Sequence, residues 1–125
     1  MSPDLLQKYS VGNFHFPVKS AMDSILVSKD SILEVVQKVK EDEELLYEQL
    51  VDITATDNML SKSSSSNERF TIIYSFLSLK NNKRLFVFTN LSENDSDIDS
   101  ITQIFESADW YERECYDLFG INFKN

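Results

Sequence analysis

An α+β fold, with helices laid on a mixed β-sheet in two layers, is the class this sequence predicts, and three observations carry it. A helix with a marked start lies between two short apolar runs, as in a βαβ unit. Two aromatic and β-branched runs flank an Asn-Asn turn, as in a β-hairpin. The last segment places apolar residues at helical spacing up to Gly120, as in a C-terminal amphipathic helix. The chain has 125 residues, 42% hydrophobic and 26% charged, and reads as one domain over 1–125. That length buries roughly two-thirds of the surface the unfolded chain exposes.

Taken in order, the first twenty residues mix Leu5, Leu6, Tyr9, Val11, Phe14, Phe16 and Val18 with Gly12 and Pro17, which reads as a short helix followed by an irregular segment. Ser24 to Ser28, a short apolar run bounded by Asp23 and Lys29-Asp30, suits a buried strand. Ser31 and Glu34 have the capping-box spacing, a hydroxyl for the exposed amides and a carboxylate three residues on to return the bond. Ile32, Val35, Val36 and Val39 follow at helical spacing, and the acid run Glu41 to Glu44 ends that helix or starts a short second one. Leu50 to Thr54 reads as the next strand, completing a right-handed βαβ unit. Met59 to Asn67, with four consecutive serines, lacks the apolar atoms to repay ordering entropy and reads as a mobile loop. Phe70 to Leu79 and Arg84 to Thr89 are the hairpin strands, joined through Asn81 and Asn82, which tolerate positive φ. Ile98, Ile101 and Phe105 then begin a helical pattern capped by Ser96 or Asp97.

Composition excludes several classes of function. Twelve Lys and Arg against 21 Asp and Glu leave a formal charge of −9, a field that repels phosphate backbones and anionic lipid. Two Gly and two Pro exclude a Gly-rich phosphate cradle and Pro-rich recognition segments. Phe70 to Leu79 is about half the ~20 residues that span a bilayer. One cysteine and no cationic, apolar leader point to a reducing compartment. The lack of a presequence favours a bacterial or organelle-encoded gene.

The most informative stretch is Ser107 to Ile121. Ala108, Tyr111, Cys115, Leu118 and Phe119 form one apolar stripe, with Gly120 where a helix turns left-handed and stops. The other side is dense in charge. Arg113 has Asp109 four residues before it and Asp117 four after it, and Trp110 shares a face with Glu114. One account is a solvated face with ordinary i,i+4 pairs, each stabilising by about 0.2–0.5 kcal/mol. The functional account is that Glu112, Arg113, Glu114 and Asp117, with Trp110 beside them, dock another protein. Other chemistry is weakly supported. Cys115 sits on the apolar stripe as a core residue would, and His15, the one histidine, excludes a multi-His metal site. Glu112 and Glu114, two apart on a helix, are poor acid/base partners, and Trp110 and Tyr111 read as core or interface anchors.

Ala108-Asp109-Trp110-Tyr111-Glu112-Arg113-Glu114-Cys115-Tyr116-Asp117-Leu118-Phe119-Gly120-Ile121 resembles the signature of the thirty-kilodalton subunit family (the C subunit) of proton-pumping NADH:quinone oxidoreductase, respiratory complex I. Upstream, Leu50 to Ala55 looks like the family's second strand, and Phe70 to Lys80 with the Asn-Asn turn like its central hairpin. The resemblance covers about residues 23–125. It implies a hydrophilic, cofactor-free scaffold of the peripheral arm, with NAD, FMN, iron–sulfur clusters and quinone on partner subunits, among them the forty-nine-kilodalton (D-type) chain. It further implies a peripheral place on the cytoplasmic side of the bacterial inner membrane, or on the matrix side of a mitochondrion, with membrane contact only through the complex. One cysteine agrees, since a cluster takes four thiolates. Family members continue past this point with a His-containing basic segment, so the chain, ending at Asn125, reads as a shortened member. The homologous subunit of a membrane-bound hydrogenase, which shares the motif, a stand-alone acidic protein-binding module and a small hydrolase with paired carboxylates are the alternatives.

Overall fold

The computed structural model describes residues 22–42, 46–57, 68–92 and 94–124. The expected N-terminal helix, His15 and the serine-rich 59–67 loop lie outside the described residues, as do Glu43 and Glu44 of the acid run, whose first residue, Glu41, ends the helix before it.

Among the described residues, four strands make the main sheet. They are β1 (Met22–Val27), β2 (Gln49–Asp57), β3 (Glu68–Ser78) and β4 (Lys83–Ser92), in the spatial order β1-β4-β3-β2. β3 and β4 are the predicted hairpin, and Asn82 takes the left-handed conformation (φ 52°) that its turn demands. β2 pairs antiparallel with β3, and β1 pairs parallel with β4. β1 and β2 therefore run in the same direction but at opposite edges of the sheet. The expected crossover between them spans the whole hairpin instead of joining neighbours.

Strand alternation then sorts the residues. Ile25, Val87, Tyr74 and Ile53 form one row across all four strands, and Val27, Thr89, Ile72 and Ala55 the next. All eight are buried. Two α-helices among the described residues, α1 (Ile32–Glu41) and α2 (Ala108–Phe119), add their inward apolar residues to the same core. α1 buries Ile32, Val35, Val36 and Val39, the four residues its periodicity selected. Its start differs from expectation. Ser31 makes no side-chain capping bond, because a 3₁₀ turn over Lys29–Ser31 precedes the helix and Ser28 caps that turn, its Oγ accepting from the Asp30 amide at 3.3 Å. At the other end of α1, Lys40 donates to the Ile104 carbonyl at 2.6 Å and stands over the Phe105 ring. Among the described residues, no helix is long and apolar enough to cross a membrane.

The helix expected from Ile98 is absent. Asp97–Asp99 forms a short strand, β5, and a turn follows in which the Ile104 and Phe105 amides both donate to the Ile101 carbonyl. Ile98, Ile101 and Phe105 are all buried, but a strand followed by a tight turn aims them inward as well as a helix would. After α2, Gly120 (φ 74°) donates to the Tyr116 carbonyl at 2.8 Å and turns the chain into β6 (Asn122–Lys124), which runs parallel to β5.

α2 itself is held by a buried acid. Glu112 is only 6% exposed; its Oε1 accepts from the Ser100 hydroxyl at 2.7 Å and its Oε2 from the Ile101 amide at 2.9 Å. This corrects two expectations. Glu112 points into the fold instead of outward, and Leu118, assigned to the apolar stripe, is 72% exposed. At about 100° per residue, Glu112 lies about 40° from the Ala108 line, whereas Leu118 lies about 80° off it on the other side. Ala108 and Cys115 are buried on that line, and Tyr111 and Phe119 are half-buried against the core. Burial pushes the Glu112 carboxyl above its ordinary value and the Asp109 charge adds to the rise, while the Ser100 and Ile101 hydrogen bonds pull it back.

Two outcomes test this arrangement. Glu112→Ala strands the Ile101 amide and should cost about 1–3 kcal/mol, whereas Glu112→Gln, which can accept from Ile101 and donate to Ser100, should cost much less. The folded chain holds the Glu112 proton more tightly than the unfolded one. This group's contribution is therefore complete below the ordinary carboxyl range and is lost as pH rises through the raised folded value. Denaturant melts from about pH 4 to about pH 8 should accordingly show wild type losing ground to Glu112→Gln as pH rises; a constant gap refutes the assignment. In the same assay Leu118→Ala should change stability by less than about 0.5 kcal/mol, and Ile53→Ala should cost about 2–5 kcal/mol.

Candidate functional site

With Ala108, Glu112 and Cys115 turned inward and Tyr111 and Phe119 half-buried beside them, helical geometry leaves the remaining seven residues of α2 as a continuous outer surface. Trp110, Glu114 and Leu118 follow one another at i, i+4 and i+8 along one stripe. Asp109, Arg113 and Asp117 do the same along the next, with Tyr116 beside them. All seven are exposed, Trp110 by 67% and Tyr116 by 58%. Three large apolar or aromatic side chains in the open on one twelve-residue helix is unusual for a surface that faces only water, because each forgoes burial worth about 1.5–3 kcal/mol.

Among the described residues, the charges on this surface are only partly satisfied. Arg113 Nη2 lies 3.3 Å from Asp109 Oδ2, both well exposed. Of the two carboxylates in reach of Arg113 on spacing, the N-terminal one is taken, and Asp117 makes no ion pair among the described residues. Beside this stripe, α2 and β6 enclose a shallow groove of about 300 Å³ lined by Asp109, Glu112, Arg113, Tyr116, Asp117, Asn122 and Phe123.

The structure thus brings four of the five predicted site residues, Trp110, Arg113, Glu114 and Asp117, onto one outer face and sends the fifth, Glu112, inside. Sequence reasoning missed Tyr116, Leu118 and the β6 residues Asn122 and Phe123. Tyr116 and Leu118 become legible once the buried arc is centred on Ala108, Glu112 and Cys115. The β6 residues had no signal, since their position follows from pairing with β5, on the far side of α2 in the sequence.

The Cys115 thiol donates to the Ile53 carbonyl at 3.8 Å, laying α2 along edge strand β2, and burial with the nearby Asp52, Glu114 and Glu112 charges pushes its pKa up to about 12. A thiol so held stays protonated at neutral pH and is no nucleophile. The buried Tyr74 hydroxyl beneath it is also pushed well above its ordinary value, first by burial and then by the Glu112, Cys115 and Asp99 charges. A second hollow, of about 430 Å³, opens where β1 and β4 end, and two of its charged residues, Lys29 and Asp95, serve the fold. Lys29 pairs with Asp95 and donates to the Asp97 carbonyl at 3.2 Å, holding the Asp95 carboxyl below its ordinary value. The outer face of α2 with its groove is therefore the candidate site.

Residues 25–125 match the family described as the respiratory-chain NADH dehydrogenase 30 kDa subunit. The chain is 42% identical over 102 residues to the C subunit of the NADH-quinone oxidoreductase of Citrifermentans bemidjiense, covering 82% of this chain and 59% of that protein. It is 36% identical over 119 residues to the corresponding C subunit of Neisseria meningitidis serogroup B, covering 92% and 60%. It thus spans about three-fifths of the length of these curated relatives. Among solved structures, a trypsin-resistant fragment of Nqo5 superposes with a TM-score of 0.76 at 26% identity, covering 95% of this chain and 88% of that one. A chain of the membrane-bound sulfane sulfur reductase, an archaeal respiratory membrane complex, shares the fold at a TM-score of 0.76 and 20% identity, covering 98% and 67%. The α+β fold, the Glu112-Arg113-Glu114 motif on α2 and the match over 25–125 together place this chain in the 30 kDa subunit family of respiratory-chain NADH dehydrogenases.

Proposed function

We propose that the chain serves as a hydrophilic peripheral-arm subunit of a proton-translocating NADH:quinone oxidoreductase, and that it docks to its neighbours through the outer face of α2. The observation that carries this reading is the division of labour on that helix. One side is consumed by the core and the Glu112 clasp, while Trp110, Arg113, Glu114, Tyr116, Asp117 and Leu118 are exposed and bear no part of the fold's interior. Family membership supplies the enzyme, and the exposed face supplies the means of joining it. On this reading the chain positions the subunits that carry flavin, clusters and quinone, the forty-nine-kilodalton (D-type) chain among them, and holds no such group itself. Its single cysteine and two glycines support that division, since clusters take four thiolates and phosphate-bearing cofactors favour Gly-rich loops. Its place is then peripheral, on the cytoplasmic side of a bacterial inner membrane or the matrix side of a mitochondrion.

Two measurements bear on this. The purified chain should be colourless and should oxidise no NADH with a quinone acceptor; a flavin or cluster absorbance, or turnover above the buffer blank, would overturn the scaffold role. Arg113→Ala should leave the melting temperature nearly unchanged, because exposed pairs contribute about 0–1 kcal/mol. The same change should weaken incorporation into the assembled enzyme by more than about 2 kcal/mol, since its partner groups are left unpaired at the contact. Assembly of Arg113→Ala at wild-type yield would remove the docking role from this face.

A further inference from the structure

On the flank of α2 that faces β6, Asp109, Arg113, Tyr116 and Asp117 meet Asn122 and Phe123 around the groove of about 300 Å³. Among the described residues, two features of that groove stand idle. The Tyr116 ring stands in the open, and the Asp117 carboxylate makes no ion pair among the described residues, while Asp109 is already engaged by Arg113. Acid exceeds base along the walls, in a chain of formal charge −9, so the guest that gains most here is a cation. A guanidinium suits both idle features at once, its planar donors on a carboxylate and its flat face on an aromatic ring. The chain uses that combination internally. Arg69 Nη2 lies 3.2 Å from Asp57 Oδ2, while the Arg69 guanidinium carbon stands 5.2 Å from the centre of the Phe70 ring.

Resting on the docking role proposed above, we infer that the groove between α2 and β6 receives a cationic side chain of the partner protein, held between the Asp117 carboxylate and the Tyr116 ring. The contacting segment of the partner is therefore basic, and α2 docks in two parts. The Trp110–Glu114–Leu118 stripe offers area, and the groove offers register and charge selection.

The test uses the chain assembled with its co-expressed partner subunits, with the photo-cross-linking residue p-benzoylphenylalanine placed at position 116 or, separately, at position 110. After irradiation, mass spectrometry of the position-116 product should identify a partner peptide with Arg or Lys at or next to the cross-linked residue. Asp117→Lys, checked for an unchanged thermal melt, should lower recovery of the chain in the assembly by roughly tenfold or more, because a like charge then meets the guest. Asp117→Glu should assemble near wild-type yield. A position-116 product on a peptide without Arg or Lys, or wild-type recovery of Asp117→Lys, overturns the inference. A partner product at 110 with none at 116 also overturns it while leaving the docking face standing. Absence of partner products at both positions removes the docking face and the groove's guest together.

Discussion

The carboxylate of Glu112 is the constraint around which the C-terminal third of the molecule is arranged. It is a buried acid, costly to desolvate, and it is tolerated because the Ser100 hydroxyl and the Ile101 amide both point at it. Those donors belong to the bend where β5 ends, so one side chain joins the helix to the segment that precedes it. Ser100 is in turn fixed by its own amide, which donates to the Lys124 carbonyl in β6 at 2.7 Å, and by Thr102. Helix, bend and final strand thus share one hydrogen-bonded junction, and the rotation of α2 about its axis is set there. Which residues face solvent follows from that rotation.

The Glu112-Arg113-Glu114 triplet consequently does two jobs in three residues. Its first acid orients the helix, and the next two residues are presented outward by that orientation. A family signature of this kind need not mark one site. Part of it holds a surface in position, and part of it is the surface.

Much of this architecture was legible in the chain. α1 buries the residues its helical period selected, the Asn82 turn closes the hairpin where two asparagines allow it, and Gly120 ends α2 in the left-handed conformation. Legibility failed where one burial pattern suits two backbones or where a polar residue is buried. Ile98, Ile101 and Phe105 satisfy a helical spacing, yet a strand and a turn bury them equally well. Leu118 looked like core because it is apolar, and Glu112 like surface because it is charged. Only the distant donors at Ser100 and Ile101 reverse that ranking, and nothing near Glu112 in the sequence announces them. The outward positions of Trp110, Arg113, Glu114 and Asp117 were readable because helical spacing alone fixes them once one face is buried.

The order of strands in the main sheet has a consequence for how the chain acquires its shape. The hairpin of β3 and β4 closes over a short turn and needs no other element in place. β1 is different, since its pairing partner lies far downstream, Met22 standing against Arg84. During synthesis β1 and α1 leave the ribosome well before β4, so the first βα segment must wait, its apolar face uncovered, for a hairpin still to be made. β2 also has no partner until β3 emerges. The sheet therefore grows outward from its centre although the chain is made from one edge. Pairing β1 with β4 thus requires a long loop closure, and non-local pairings of this kind form more slowly than local ones.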